Sequence, residues 1–450
     1  MSASANIREK IFGLIARHPG GANVTSEVQL EYSALLSSFL SAGGDSSDIV
    51  VSIGAKLYGY VAPVSTTPSA PSSPKDPDVI IDFDYMRQFM KEVFIAYGCP
   101  EDRADISADV LIEADYRGID SHGLGRLKPI YCDRIDNGIL RATADIDVLA
   151  ETDTTALVDG NLGMGLYVGP YCMQMAIDKA KKHGVGMVFS KNSTHYGIAG
   201  YYATMATEAG CVGMTGTNAR PSIAPTYGVE PMLGTNPLTF GVPSSDPFPF
   251  VLDCATSVNQ RGKIELYERM GKSTPKGCVI DQEGIERTDT VEILKDMVRG
   301  KCALTPMGGA GIELGGYKGY GWATVVELLC TAFQSGPFGE AICGMDRNTG
   351  KPIPMPLGHF FLAVDIAPLC PLETFKKNAG TLLQALRDSK KSPKGPGRIW
   401  TAGEPENDAR TSRMAQNGMT VPASLQKNMI LLREKFDVLQ EKYPTFPFEK

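Results

Sequence analysis

At 450 residues the chain is too long for one ordinary hydrophobic core, so two or three lobes are expected. Its 43% hydrophobic and 21% charged residues are the composition of a soluble globular protein. A formal net charge of -7 disfavours a general nucleic-acid or anionic-membrane role.

Residues 1–78 form a separate N-terminal piece. Ile7 to Ala16 and Val28 to Leu40 carry apolar residues at three- and four-residue spacing, which predicts helices. Val50 to Val61 alternates loosely and could hold a strand. Pro63 to Pro74, rich in Pro and Ser, predicts an exposed linker. This piece is expected to be an extension or an oligomer contact. It lacks the apolar core of a secretion signal. Glu9 beside Arg8 and Lys10 weighs against a transit peptide, although an organellar address stays open. No run of the chain is long and apolar enough to cross a bilayer. The ten cysteines are scattered without a C-x-x-C pair, as expected of reduced thiols in a cytoplasmic setting.

A helical lobe is expected over 79–150. Phe83, Met86, Phe89, Met90, Val93 and Phe94 recur at helical spacing, and a second helix runs through Ala104 to Ala114. The run Arg117 to Arg126 follows, then a third helix from about Leu127 to Ile135. An α/β domain is expected over 151–330. Val148 to Val158 is strand-like, and a glycine turn at Asp159 to Gly165 leads into a helix carrying Met173, Ile177 and Ala180. The strand Val185 to Phe189 enters the cluster Asn192 to Gly200, and another helix and strand follow. This alternation argues an α/β fold. Phe250 to Ser257 is an apolar strand that delivers Asp253 to its carboxyl end. Gln260 to Met270 is a helix. After a polar loop, Gly315 to Gly321 precedes an apolar helix ending near Phe333. Residues 331–450 should complete the core and supply dimer contacts. They hold a turn-rich, mobile loop at 336–357, a strand at Gly358 to Val364, and helices at Phe375 to Arg387 and Leu425 to Leu439.

Ser121, His122 and Arg126 lie within six positions among glycines. An arginine fork pairs bidentately with a carboxylate, and the other two suit proton traffic. The plain alternative is a capped helix start with a structural ion pair. His195 stands at a strand-to-helix junction, either as a general acid/base or as a histidine held by backbone. Asp253 could orient a histidine or cap a helix. Lys318 could hold an anion or be a solvated charge. No metal-ligand spacing, P-loop, nucleophile elbow or Rossmann G-x-G-x-x-G is present. Spacing alone therefore supports an α/β enzyme for a small anion.

The run Gly118 to Arg126 resembles the signature of the malate/L-lactate dehydrogenase family, which is distinct from the Rossmann-type lactate and malate dehydrogenases. Asn192 to Gly197 is similar to its N-S-x-H-[FY]-G motif, Gly234 to Val242 to G-T-N-P-x-x-F-G-x-P, and Leu252 to Ser257 to D-x-A-T-S. Gly316 to Gly321 is similar to G-x-K-G-Y-G, and Gly358 to Phe361 to G-H-F-F. The motifs fall in order, and residues 1–78 lie outside them. Ala402 stands where the family often has proline, and the 336–357 insertion is longer than expected.

The resemblance implies a non-Rossmann NAD(P)-binding α/β domain with a helical N-terminal lobe and a further substrate-side lobe. It implies NAD, with NADP possible, and a homodimer with sites near the subunit interface. His195 is similar to the proton acceptor of the ureidoglycolate enzymes. Ser121, His122 and Asp253 are similar to the relay of the ketimine reductase, where His122 would donate the proton. Arg126 matches the arginine that holds the substrate carboxylate. Asp253, Cys254, Ala255, Lys318, Gly319, Gly403 and Glu404 match cofactor contacts. The expected reaction is hydride transfer between NAD(P) and a small 2-hydroxy acid, with malate first and His195 as the base. Lactate, sulfolactate, a cyclic ketimine and a non-catalytic small-acid binder are the alternatives.

Overall fold

The computed structural model describes residues 3–17, 32, 35, 38, 39, 79–346, 349–416 and 418–449. The chain divides into two compact units, Met1–Asp76 and Pro77–Lys450. In the first, helix α1 (Ala3–Arg17) buries Ile11 and Leu14. Of the helix expected at Val28 to Leu40, residues 32, 35, 38 and 39 are described, and all are helical. The strand expected at Val50 to Val61 and the Pro63 to Pro74 linker lie outside the described residues.

The second unit opens with a short edge strand, β1 (Val79–Ile81), and two helices, α2 (Phe83–Ala96) and α3 (Glu101–Tyr116). The Asp82 carboxylate accepts the Tyr85 N–H at 2.9 Å and starts α2. The third expected helix is composite. An α-turn (Leu124–Arg126) passes into a π-turn (Leu127–Cys132) and back to α at Asp133–Asp136.

A seven-stranded sheet follows, built from β2 (Asp147–Glu151), β3 (Thr155–Asp159), β4 (Val185–Ser193), β5 (Cys211–Thr217), β6 (Leu238–Val242), β7 (Phe250–Cys254) and β10 (Leu357–Asp365). Its order is β2-β3-β4-β10-β5-β6-β7. Only β3 and β4 run parallel, joined by the crossover helix α4 (Gly165–His183); the other neighbours are antiparallel. The sheet thus crosses the divisions expected at 150/151 and 330/331. Local periodicity cannot report this, because a strand's partner is chosen by hydrogen bonds across the sheet.

The pleat sorts side chains between two layers. Phe361 faces Val188 across the β10–β4 pair, and both enter the core with α2, α3, α4 and α5 (Gly200–Glu208). The next pair, Phe360 and Phe189, points to the opposite face, against Val326 and Cys330 of helix α8 (Gly316–Thr331).

The stretch expected as a polar loop after Met270 is a small lobe instead. It pairs β8 (Val279–Asp281) with β9 (Cys302–Leu304) beside helices α6 (Arg261–Arg269) and α7 (Thr290–Arg299). Its own core holds Ile223, Ile264, Val279, Ile293 and Leu304. Charged residues between its apolar positions masked the pattern in sequence. The chain then forms α9 (Leu372–Asp388) and α10 (Glu404–Ala415). It returns to β1 through β11 (Met419–Val421) and ends in helices Ala423–Lys435 and Asp437–Lys442. No helix among the described residues is long and apolar enough to cross a membrane. All ten cysteines are free thiols.

Candidate active site

The segment after α3 carries Ser121, His122 and Arg126, and it is fastened from below. Asp115, in the last turn of α3, accepts the Leu124 N–H at 2.8 Å. Gly123 lies directly against that carboxyl, where a Cβ would come within 2.1 Å of Asp115 Oδ1, so only glycine fits. Burial pushes the Asp115 carboxyl up to about 7. Arg413 of α10 donates to the Asp115 carbonyl and pairs with Asp120, which clamps the segment from outside.

His195 arrives from the other wall. It follows the end of β4 and precedes Gly197, whose φ of +77° turns the chain into α5. The His122 and His195 rings stack, with centroids 5.7 Å apart and planes 21° from parallel. Ser121 Oγ lies 2.8 Å from His122 Nδ1, and the Tyr131 hydroxyl lies 2.6 Å from His195 Nδ1. Burial, and then the Arg126 charge, lower the His122 pKa to about 4. Burial holds His195 well below its usual value, helped by His122, Arg134 and Arg126. Both imidazoles are therefore neutral near pH 7 and able to take up a proton. Burial raises the Tyr131 phenol, so it stays a hydroxyl throughout the physiological range.

The histidines open onto a cleft of about 430 Å³. Arg126, Ile130 and Arg134 line it at four-residue spacing, as one helical stripe. Arg220, in the connection after β5, lines it too, and Cys343 and Met355 of the 336–357 segment contribute to it. Arg126 Nε donates to the Ser121 carbonyl. Sequence reasoning missed Tyr131, Arg134 and Arg220. The stripe was available for Arg134. Nothing local marked the other two.

Asp253 sits elsewhere. At the end of β7 its carboxylate accepts the Gly200 N–H at 2.7 Å and the Thr239 hydroxyl at 3.1 Å. It satisfies the first turn of α5. Among the described residues it makes no hydrogen bond to Ser121 or His122, which corrects the expected three-membered relay. The reason is topological: β7 ends under the start of α5, and that exposed N–H claims the carboxylate. Asp253 lines a second cleft, of about 400 Å³, with Ile119, Tyr201, Gly403 and Asn407. The same two segments line both clefts: His122, Arg126, Thr194 and His195 the first, and Arg117, Ile119, Tyr201, Thr204 and Met205 the second.

The remaining expected residues divide. Gly403 has φ +89° and directly precedes α10. The buried Glu404 is occupied within its own turn: it accepts from Thr401 N–H at 3.0 Å and pairs with Arg398. Cys254 and Ala255 are half-buried beyond Asp253. Lys318 is exposed on α8, and Gly319 packs so closely that a Cβ would approach the Met307 carbonyl to 2.2 Å. None of Cys254, Ala255, Lys318 and Gly319 lines either cleft. His359 is buried beside Thr217 at 2.7 Å and stacks on Tyr196, a structural placement.

Fold and site together define a class: an α/β protein with two neutral histidines and an arginine beside a cleft of small-molecule size. The chain belongs to the malate/L-lactate dehydrogenase family, whose sequence model matches residues 81–430. Malate dehydrogenase of Pyrococcus horikoshii is 42% identical over 321 residues, 71% of this chain and 86% of that protein. L-sulfolactate dehydrogenase of Methanothermobacter thermautotrophicus is 35% identical over 303 residues, 67% of this chain and 83% of that protein. The crystal structure of malate dehydrogenase from Entamoeba histolytica superposes with a TM-score of 0.76 at 39% identity, covering 82% of this chain and all of that one. The protein is thus an oxidoreductase of 2-hydroxy acids.

The family implies a nicotinamide cofactor. The second cleft fits one. Asp253 keeps exposed surface in its lining, and Gly403 brings backbone without a side chain to it at the start of α10.

Proposed function

We propose that the protein interconverts malate and oxaloacetate, using NAD or NADP. The observation that carries this reading is the pair of neutral, stacked imidazoles beside Arg126. Arg126 holds the C1 carboxylate of the substrate through its free guanidinium nitrogens. His195 takes the hydroxyl proton at Nε2, because Nδ1 is engaged by Tyr131. That step uses the tautomer whose Nδ1–H donates to the Tyr131 oxygen while the Tyr131 O–H turns to the His195 carbonyl at 3.3 Å; with the other tautomer Nδ1 accepts the Gly197 N–H at 3.3 Å. Tyr131 thereby takes the orienting place expected of Asp253, without adding a charge that would raise the imidazole pKa. His122, held by Ser121, polarises the same substrate oxygen. A bound nicotinamide would supply the hydride acceptor for oxidation of the substrate carbon and the hydride donor for its reduction. Asp253, Gly403 and the turn held by Glu404 shape the cofactor side, with Cys254 and Ala255 behind Asp253.

Lys318 and Gly319 stand away from both clefts and fit a site completed across a subunit interface. The working unit is proposed as a homodimer. Tyr317, Trp322, Val325 and Leu328 leave an exposed apolar face on α8, which a second copy would cover. Light scattering checks the mass. The ten free thiols favour a reducing, cytosol-like compartment.

The test of the activity is a panel of malate, lactate, sulfolactate and a cyclic imino acid's redox pair, each with both nicotinamide cofactors. Preference for malate supports the reading. Turnover of the imino acid alone overturns it.

A further inference from the structure

The malate reading uses one arginine of the cleft, yet four line it: Arg261, which is paired, and the three others, Arg126, Arg134 and Arg220. Arg134 lies on the same helical stripe as Arg126, and Arg220 reaches in from the connection after β5. Among the described residues, none of the three has a carboxylate at ion-pair distance. The one carboxylate lining the cleft, Glu265, is already taken by Arg261 at 2.8 Å. Arg126, Arg134 and Arg220 therefore share a cleft of about 430 Å³ with no side-chain carboxylate of the described residues to pair with.

That arrangement is costly on its own. The arginines repel one another, and Arg126 and Arg134 are half-buried beside each other's charge. Both effects act on Arg134, whose pKa is lowered by burial first and then by Arg220 and Arg126. Arg220 is lowered by burial and by Arg261. A half-buried structural arginine such as Arg134 would normally carry a partner. An anionic ligand offsets both terms at once. One carboxylate occupies one guanidinium fork, so a substrate with a single acidic group would satisfy Arg126 and leave two cations bare.

We propose that Arg134 and Arg220 bind a second acidic group of the substrate and so set the enzyme's preference for 2-hydroxy diacids over 2-hydroxy monoacids. This assignment rests on the hydroxy-acid reading of the cleft. The shared chemistry is a second oxyanion on C3, which a carboxylate or a sulfonate supplies. Arg126 fixes the C1 end beside His195, and Arg134 and Arg220 fix the far end.

The experiment compares wild type with Arg134→Met, Arg220→Met and the double variant. Methionine keeps the length and the apolar stem and removes the charge. The substrates are oxaloacetate, its sulfonate counterpart 3-sulfopyruvate, and 2-oxobutyrate, the monoacid with a methyl group in place of the second acidic group. Each single variant should lower kcat/KM for the diacids about 10- to 100-fold, the range for a charged hydrogen-bonded contact, and leave 2-oxobutyrate within about threefold. The double variant should abolish the preference. Equal losses on diacids and monoacid, or no loss on the diacids, overturn the assignment. The ratio between the two diacids shows which acid the site favours. Arg→Lys variants, which keep the charge and lose the fork, should recover part of the diacid rate and guard against misfolding of the Met variants. Calorimetric binding of malate and 2-hydroxybutyrate to the same proteins decides the matter without turnover. Equal affinity of wild type for the two overturns the assignment. If wild type reduces none of the keto acids, the activity reading fails, and the binding arm still tests the two arginines.

Discussion

Tyr131→Phe isolates a single hydroxyl. The tyrosine ring is fully buried and meets Phe94 edge-on with centroids 6.1 Å apart, packing that phenylalanine retains. What disappears is the oxygen 2.6 Å from His195 Nδ1. A buried polar group left without its partner costs roughly 1–3 kcal/mol. The cost falls on the ring with Nδ1–H, neutral and protonated alike, relative to the tautomer that keeps its proton on Nε2, and so on the form that accepts the substrate proton. At 1.36 kcal/mol per decade this predicts a fall in kcat of about 5- to 150-fold. KM for malate should stay within about twofold, because Arg126 is untouched. Steady-state malate oxidation, followed from about pH 5 to 9, reads both quantities and the profile. A variant whose kcat stays within about twofold of wild type across that range would refute the role of Tyr131.

The pH dependence should itself be unusual. The lowered pKa values keep both histidines neutral in mild acid, so the acidic limb of malate oxidation should fall well below pH 6.5; a limb centred at about 6.5 contradicts this. Asp115 works in the opposite sense. Its folded pKa is raised from 3.8 to about 7, so the protonated form is the one folding favours. Stability should therefore decline as pH rises from about 4 through 7, by roughly 4 kcal/mol at the limit. Asp115→Asn keeps the acceptor for Leu124 N–H and should flatten the fall in Tm between about pH 5 and 8; an unchanged slope speaks against it. Deleting residues 1–76 should leave kcat/KM for malate unchanged, since the family match begins at residue 81. Loss of turnover in the folded remainder would show that the first unit contributes to catalysis.

Several elements could be read directly from neighbouring residues. Phe83 to Phe94 sets α2 by its spacing, and Val185 to Phe189 sets the core of β4. The motifs at 118–126 and 192–200 placed Ser121, His122, Arg126 and His195 together before any geometry was known, and the structure stacks the two histidines. The lobe at 271–314 was obscured because its apolar residues are interrupted by charges and its strands are only three residues long.

The sequence by itself determined the helices, the core of the long strands and the residues most suited to proton and carboxylate chemistry. These depend on patterns within a few turns or one motif. Tertiary structure alone decided that β10 inserts between β4 and β5, that Asp253 serves the start of α5, and that Tyr131 orients His195. It also decided that Arg134 and Arg220 meet in one cleft. In each case a hydrogen bond or a charge finds its partner across the fold, and a buried polar group is satisfied by whatever the packing brings near, not by its neighbours along the chain.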